Sequence, residues 1–209
     1  MFPLSDDKTY KFPIVNILII ATCIFVFIIQ ISAVDFDVLV NNYALVPWRI
    51  NILNFSTWWP FVSSIFMHGS LMHIGSNLWF LWIFGDNVEE DLGSLNYLFF
   101  YLIGGIFAGF AQYLLSTKSL IPMLGASGAI SAVMGYYMVA FPANRVRVLT
   151  RYGSGYVPAY SMLLSWILLQ LLSTVGSLAS GRFMGGGVAW MAHVSGFAFG
   201  FLSAKLLKR

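Results

Sequence analysis

Apolar residues run through this chain in blocks of about twenty, the length that crosses the hydrocarbon of a bilayer, and not in the spaced stripes of a surface helix. Six such blocks can be placed, at roughly 12–33, 61–84, 95–116, 125–142, 158–179 and 188–206. Between them lie a longer loop at 34–60, an acidic turn from Asp86 to Asp91, a short link from Ser116 to Pro122, a basic loop from Arg145 to Arg151 and a link from Gly181 to Gly187. The pattern predicts an all-α polytopic membrane protein, a bundle of six transmembrane helices forming a single domain over 1–209, with a short N-terminal segment at 1–11. The first block is too long for a signal-peptide core, and no small-x-small cleavage site followed by a soluble domain comes after it.

Three polar islands interrupt the blocks: His68, His73 and Asn77; Gly125-Ala126-Ser127-Gly128; and Ala192-His193. Polar groups in hydrocarbon are costly, so their presence together points to a reaction carried out inside the membrane. Composition supports the class: 59% of residues are hydrophobic and 9% charged, with a mean hydropathy of +0.80, values that would leave a soluble domain with large exposed apolar patches. The net charge of +3 is dispersed over loops and leaves no nucleic-acid footprint. A single cysteine, Cys23, excludes a disulfide framework and a cysteine-rich metal site.

Lys and Arg in alternate loops set the orientation. With the N-terminus inside, Lys8, Lys11, Arg145, Arg147, Arg151, Lys205, Lys208 and Arg209 lie on the inner side, against Arg49, Lys118 and Arg182 outside. Both termini are therefore expected in the cytoplasm of a multi-pass cell-membrane protein. Trp58 and Trp59 then fall at the outer interface, Trp82 and Tyr152 near the inner one. In this topology His73, Asn77, Ser127 and His193 share the outer half of the second, fourth and sixth spans, His193 about 7 to 8 Å below the start of its helix.

Pro122 and Gly125 put Ser127 at a helix N-terminus, where unpaired N–H groups could hold an oxyanion. Gly125, Ala126, Gly128, Ala132 and Gly135 read equally well as a small-residue packing face. His193, Gly196 and Gly200 share one helix face, so a close approach of the fourth and sixth spans would bring the histidine to the serine as a general base. His73 and Asn77, four apart, suit either an oxyanion hole or interhelical hydrogen bonding. His68, turned by about 140 degrees from His73, reads as structural. All eight acidic residues fall outside the six blocks, which implies a Ser–His dyad without a third acid and argues against an aspartyl protease. His68 to His73 has one residue too many, and no glutamate, for His-Glu-x-x-His. No metal or other cofactor is expected.

These residues resemble the rhomboid intramembrane serine proteases. The resemblance covers about 58–202 and rests on ordered motifs: His68-Gly-Ser-Leu-Met-His73-Ile-Gly-Ser-Asn77, Gly85-Asp-Asn-Val-Glu89, Gly125-Ala-Ser127-Gly128, and Ala192-His193-Val-Ser-Gly196 with Gly200. It implies a Ser127 nucleophile, a His193 base, and an oxyanion hole from His73, Asn77 and the Ser127 backbone N–H. It also implies that single-pass or polytopic membrane proteins are cut near the outer ends of their spans, at a small residue in a locally unstable helix. Many members carry Trp-Arg where this chain has Trp59-Pro60, and some carry a tyrosine where this chain has Ser131. The 34–60 loop and the histidine must then be held by other means. The alternatives are a catalytically weak rhomboid-like protein that binds transmembrane helices and a transporter, the latter disfavoured by the lack of carboxylates in the blocks. Gly181 and Gly185-Gly186-Gly187 suit either a cap over His193 or an ordinary flexible loop.

Overall fold

A computed structural model describes residues 2–7, 9–180 and 189–208. Among the described residues, eight α-helices follow in order: α1 (Ile14–Ser32), α2 (Phe36–Tyr43), α3 (Pro60–Ser63), α4 (Leu71–Leu92), α5 (Ser94–Leu115), α6 (Ser127–Ala140), α7 (Ala159–Ala179) and α8 (Trp190–Leu207). By length and composition three of them, α1, α5 and α7, can cross a membrane. The helices that carry the polar islands depart from that simple pattern. α6 is apolar but has only 14 residues, α4 holds His73, Asn77 and four carboxylates, and α8 holds His193 and Lys205.

The centre of the bundle is α6, buried without interruption from Gly128 to Tyr137 and packed on α4, α5 and α8. The outer helices present apolar rows at helical spacing. Phe99, Ile103, Phe107, Phe110 and Leu114 on α5 are exposed, as are Leu164, Leu168, Leu171 and Val175 on α7. Rows of this size suit lipid and not water.

The fold is not all-α. Strands β1 (Phe2–Ser5), β2 (Arg145–Thr150) and β3 (Gly153–Pro158) form an antiparallel sheet in the order β1-β2-β3. The segment predicted as a basic loop alternates Arg-Val-Arg-Val, which buries Val146 and Val148 and leaves Arg145 and Arg147 exposed. Gly153, at φ +117°, takes the chain out of the Arg151-Tyr152 turn. The N-terminal segment is tied in by β1, by Phe2 stacked on Trp79, and by Trp79 Nε1, which donates to the Pro3 carbonyl at 2.8 Å.

The second predicted span is also redrawn. Instead of one helix from 61, α3 and a 3₁₀ turn at Ser64–Phe66 precede a break, and α4 starts at Leu71 with Ser70 Oγ accepting the His73 N–H at 3.2 Å. At the other end, Asp86 to Asp91 is no turn but the closing part of α4, which Gly93 ends at φ +77°. Glu89 explains the extension: its carboxylate accepts the Val15 and Asn16 N–H groups at 3.0 and 2.7 Å and the Ser94 hydroxyl at 2.6 Å. Those N–H groups belong to the first turn of α1, where no intrahelical partner exists. Four of the eight carboxylates thus lie within a helix predicted to lack them, though Asp86 is thirteen residues, about 20 Å, along α4 from His73.

The 34–60 loop is held without the Trp-Arg pair. Asp35 caps α2 through the Val38 N–H, Pro60 stands in the first turn of α3, where its missing N–H costs nothing, and Trp59 packs edge-on against Tyr43 at 5.0 Å. A two-way backbone bridge between Leu45 and Met123, at 2.8 and 3.0 Å, fastens this loop to the chain just before Gly125. The Gly181 to Gly187 link lies outside the described residues.

In the N-terminal segment, Asp6 accepts hydrogen bonds from Tyr137 OH at 2.6 Å and Asn87 Nδ2 at 2.8 Å. Burial, and secondarily the charge of Asp86, pushes its carboxyl up to about 7, while the Tyr137 hydrogen bond opposes the shift. The folded form therefore holds this proton over a range in which the unfolded chain releases it, so the stability that Asp6 contributes is full below about pH 4 and is lost as pH rises toward 7. Asp6→Asn is expected to flatten that part of the curve. Melting temperatures of both proteins between pH 4 and 8 check this, and parallel curves would refute it.

Candidate active site

The site is built where α6 and α8 meet. A Cβ on Gly196 would run into the Gly128 carbonyl, one on Gly200 into the Ala132 carbonyl, and one on Gly135 into the Phe197 carbonyl. The two backbones touch because these positions carry no side chain. Gly128 is closed in on its other side, since a Cβ there would stand 2.7 Å from Ala108 on α5.

Ser127 is the first residue of α6 and His193 lies in the first turn of α8, so the contact is made between two helix N-termini. His193 Nε2 stands 2.8 Å from Ser127 Oγ. The Ser127 N–H belongs to the first turn of α6, which has no intrahelical acceptor. Gly125, at φ +129°, turns the chain into α6, and its N–H donates to the Ser64 carbonyl at 2.9 Å. A Cβ at Gly125 would lie 2.7 Å from His73 Nε2 and 3.6 Å from Asn77 Nδ2, so the missing side chain lets α4 present both residues to this loop. Asn77 Nδ2 is buried without a hydrogen-bond partner among the described residues, leaving a donor in hand. His73 Nδ1 receives the Gly69 N–H at 3.4 Å, which leaves Nε2 as its N–H donor.

His73, Asn77, Ser127 and His193 all line one cavity of about 1140 Å³, walled on the far side by Ser173, Gly176, Ser177 and Ser180 of α7 and its end. His68 is not among the lining residues. It precedes α4, so the helical rotation predicted for it does not apply. Its backbone N–H and C=O are both taken by the Gln30 side chain of α1, at 3.0 and 3.1 Å, and its ring lies edge-on to His73 at 5.2 Å.

Two amides were missed by the sequence reading. Gln170 Oε1 of α7 is 2.8 Å from His193 Nδ1, and Gln112 Oε1 of α5 accepts the Ala192 N–H at 3.3 Å. Each is a lone amide in an apolar block, without the neighbouring histidines that singled out Asn77. Ser131, at the position where some rhomboids have tyrosine, donates to the Ser127 carbonyl at 2.6 Å and does not reach the histidine. Trp166 and Trp190 flank the imidazole instead, with ring centroids at 6.0 and 6.1 Å.

Fold and site together describe a multi-pass membrane protein with a serine and a histidine joined in the lining of a cavity. The profile described as "Rhomboid domain" matches residues 56–209, and the chain belongs to the rhomboid family. It is 27% identical over 186 residues to "Rhomboid protease GlpG" of Yersinia pestis (strain Pestoides F), covering 89% of this chain and 60% of that protein. The protein of the same description from Yersinia pseudotuberculosis serotype I (strain IP32953) is 28% identical over 187 residues, with the same coverage of 89% and 60%. "Presenilin-associated rhomboid-like protein, mitochondrial" of Mus musculus is 28% identical over 145 residues, 68% of this chain and 36% of that one. The chain thus spans about 60% of the length of its GlpG relatives.

Proposed function

We propose that this protein is an intramembrane serine protease that cuts membrane-protein substrates near the outer face of the bilayer, with Ser127 as nucleophile and His193 as base. The observation that carries the reading is the 2.8 Å contact between His193 Nε2 and Ser127 Oγ, at a cavity also lined by Asn77, whose amide N–H has no partner among the described residues. The family membership and the proteases among its relatives support it.

In this mechanism Ser127 Oγ attacks the scissile carbonyl carbon as its proton passes to His193 Nε2. The negative oxygen is held by the Ser127 N–H, Asn77 Nδ2 and His73 Nε2. The tetrahedral adduct collapses, the C–N bond breaks, and His193 gives the proton to the leaving amine, leaving an acyl ester on Ser127. Water then enters from the cavity, loses a proton to His193 and attacks the ester carbon. Return of that proton to Ser127 Oγ frees the acid product. The long helices α1 and α4 to α8 all lie in the bilayer with both termini in the cytoplasm, so the cavity opens outward and water reaches it without crossing the hydrocarbon. A substrate has to unwind at the cut, because a carbonyl still bonded within a helix is unavailable to the serine.

The test is labelling of the purified, reconstituted protein by a fluorophosphonate, together with cleavage of a reconstituted transmembrane substrate. Ser127-dependent labelling and cleavage are expected. A folded protein that binds transmembrane helices yet neither labels nor cuts would make it a binding protein instead.

A further inference from the structure

The imidazole of His193 is held from two sides, and the second lies outside the Ser–His pair. Gln170, buried in α7, places Oε1 2.8 Å from Nδ1. Trp166, one turn earlier on α7, lays its ring beside the imidazole with planes 36° apart. Residues 166, 170 and 174 stand four apart on one stripe of α7, and Thr174 Oγ1 donates to the Gln170 carbonyl at 2.8 Å.

We propose that Gln170 is the positioning residue of the base, accepting the Nδ1–H and so fixing the tautomer that turns the Nε2 lone pair toward Ser127. The inference rests on the reading of Ser127 and His193 as nucleophile and base. A neutral imidazole carries one N–H, and the hydrogen bond made by one nitrogen decides what the other can do. With Nδ1 protonated toward Gln170, Nε2 can take the serine proton; with Nε2 protonated it cannot. The same acceptor then steadies the imidazolium that forms during attack.

An amide suits this place better than a carboxylate. It supplies an acceptor without a buried charge, and in hydrocarbon that difference is large. Ser131, turned back on the Ser127 carbonyl, does not reach Nδ1, and α7 provides the acceptor there. Among the residues lining the cavity, His73 of α4 is the other titratable side chain. The base is therefore competent only while α7 is seated against α8.

The experiment uses the full chain in liposomes with a transmembrane peptide substrate, comparing wild type, Gln170→Leu, Gln170→Asn and Gln170→Glu from pH 5 to 9. Gln170→Leu is expected to lower kcat about 10- to 100-fold with KM changed less than about twofold, and to slow fluorophosphonate labelling in step. Gln170→Glu restores an acceptor and adds a charge that stabilises the imidazolium. It should recover kcat at alkaline pH to within about tenfold of wild type and move the acid limb of kcat/KM up by about one pH unit. Gln170→Asn, an amide too short to reach, should behave as the leucine variant.

A readout independent of activity accompanies the kinetics. The chain has only 3 histidines, so ¹⁵N-histidine labelling with a His193→Ala control assigns the ring signals. Wild type should show His193 as the Nδ1–H tautomer, and Gln170→Leu should lose that preference. Wild-type kcat and an unchanged tautomer in folded Gln170→Leu would overturn the proposal. If the leucine variant does not fold, a Gln170→Glu protein whose acid limb stays at the wild-type position overturns it equally. Loss of Ser127-dependent labelling in wild type would instead sink the protease reading, and the tautomer measurement still decides the role of Gln170.

Discussion

Ser127→Ala and His193→Ala are each expected to reduce cleavage of a transmembrane substrate to below about 10⁻⁴ of the wild-type rate, and the double variant to be no worse than either single one. Non-additivity follows from the geometry. Nε2 and Oγ at 2.8 Å act as one unit, since without the base the hydroxyl is a poor nucleophile and without the hydroxyl the base has nothing to activate. Neither change should unfold the protein. The α6–α8 contact is made by the backbones at Gly128, Gly135, Gly196 and Gly200, which neither substitution touches. Cleavage assays and melting temperatures on purified variants check both halves. Substantial proteolysis by Ser127→Ala would end the mechanism, and a large loss of melting temperature in either variant would mean that the pair has a structural role as well.

The parts of the fold that could be read from the sequence are those where one physical rule dominates. Blocks of apolar residues located α1, α5 and α7, the three helices long and apolar enough to cross a membrane, because hydrocarbon demands apolar length, and the glycines of α6 and α8 marked the close contact because no other residue permits it. What escaped depends on long-range partners. Asp86 to Asp91 reads as a turn because carboxylates are costly in a span, yet Glu89 finds its partners more than seventy residues away, at the start of α1. The third strand of the small sheet was hidden for the same reason: Arg-Val-Arg-Val alternates and pairs locally with β3, but its other partner, β1, lies about 140 residues earlier in the chain.

The site divides in the same manner. Ser127, His193, His73 and Asn77 were singled out because each interrupts an apolar block, and they line one cavity. Gln170 interrupts its block just as plainly, but a single amide on a helix with no other motif points nowhere until the fold puts His193 opposite it. The helix face that the sequence predicts for His68 does not form, because the break at Gly69 and Ser70 starts α4 only at Leu71. Its burial follows from position and not from rotation.

Asn77→Ala is expected to lower kcat by about 10² to 10³ while leaving KM nearly unchanged, the cost typical of removing one donor to an oxyanion. The reason lies in an atom that has no partner. Asn77 Nδ2 is buried and donates to nothing among the described residues, which costs free energy in the resting protein unless a later state supplies an acceptor. An oxyanion beside Gly125 and Ser127 would supply it, and only in the transition state, so the effect belongs in kcat and not in binding. His73, whose Nε2 points at the same loop, should show a smaller loss of the same kind. His68→Ala should do the reverse. Its fully buried ring fills the space behind His73, and its backbone is clamped by Gln30, so truncation leaves a cavity and should lower the melting temperature more than it lowers the kcat of the folded fraction. Measuring kcat, KM and melting temperature for the three alanine variants separates these roles. If Asn77→Ala raised only KM, or His68→Ala proved the poorest catalyst at unchanged stability, the division of labour along this stretch would have to be redrawn.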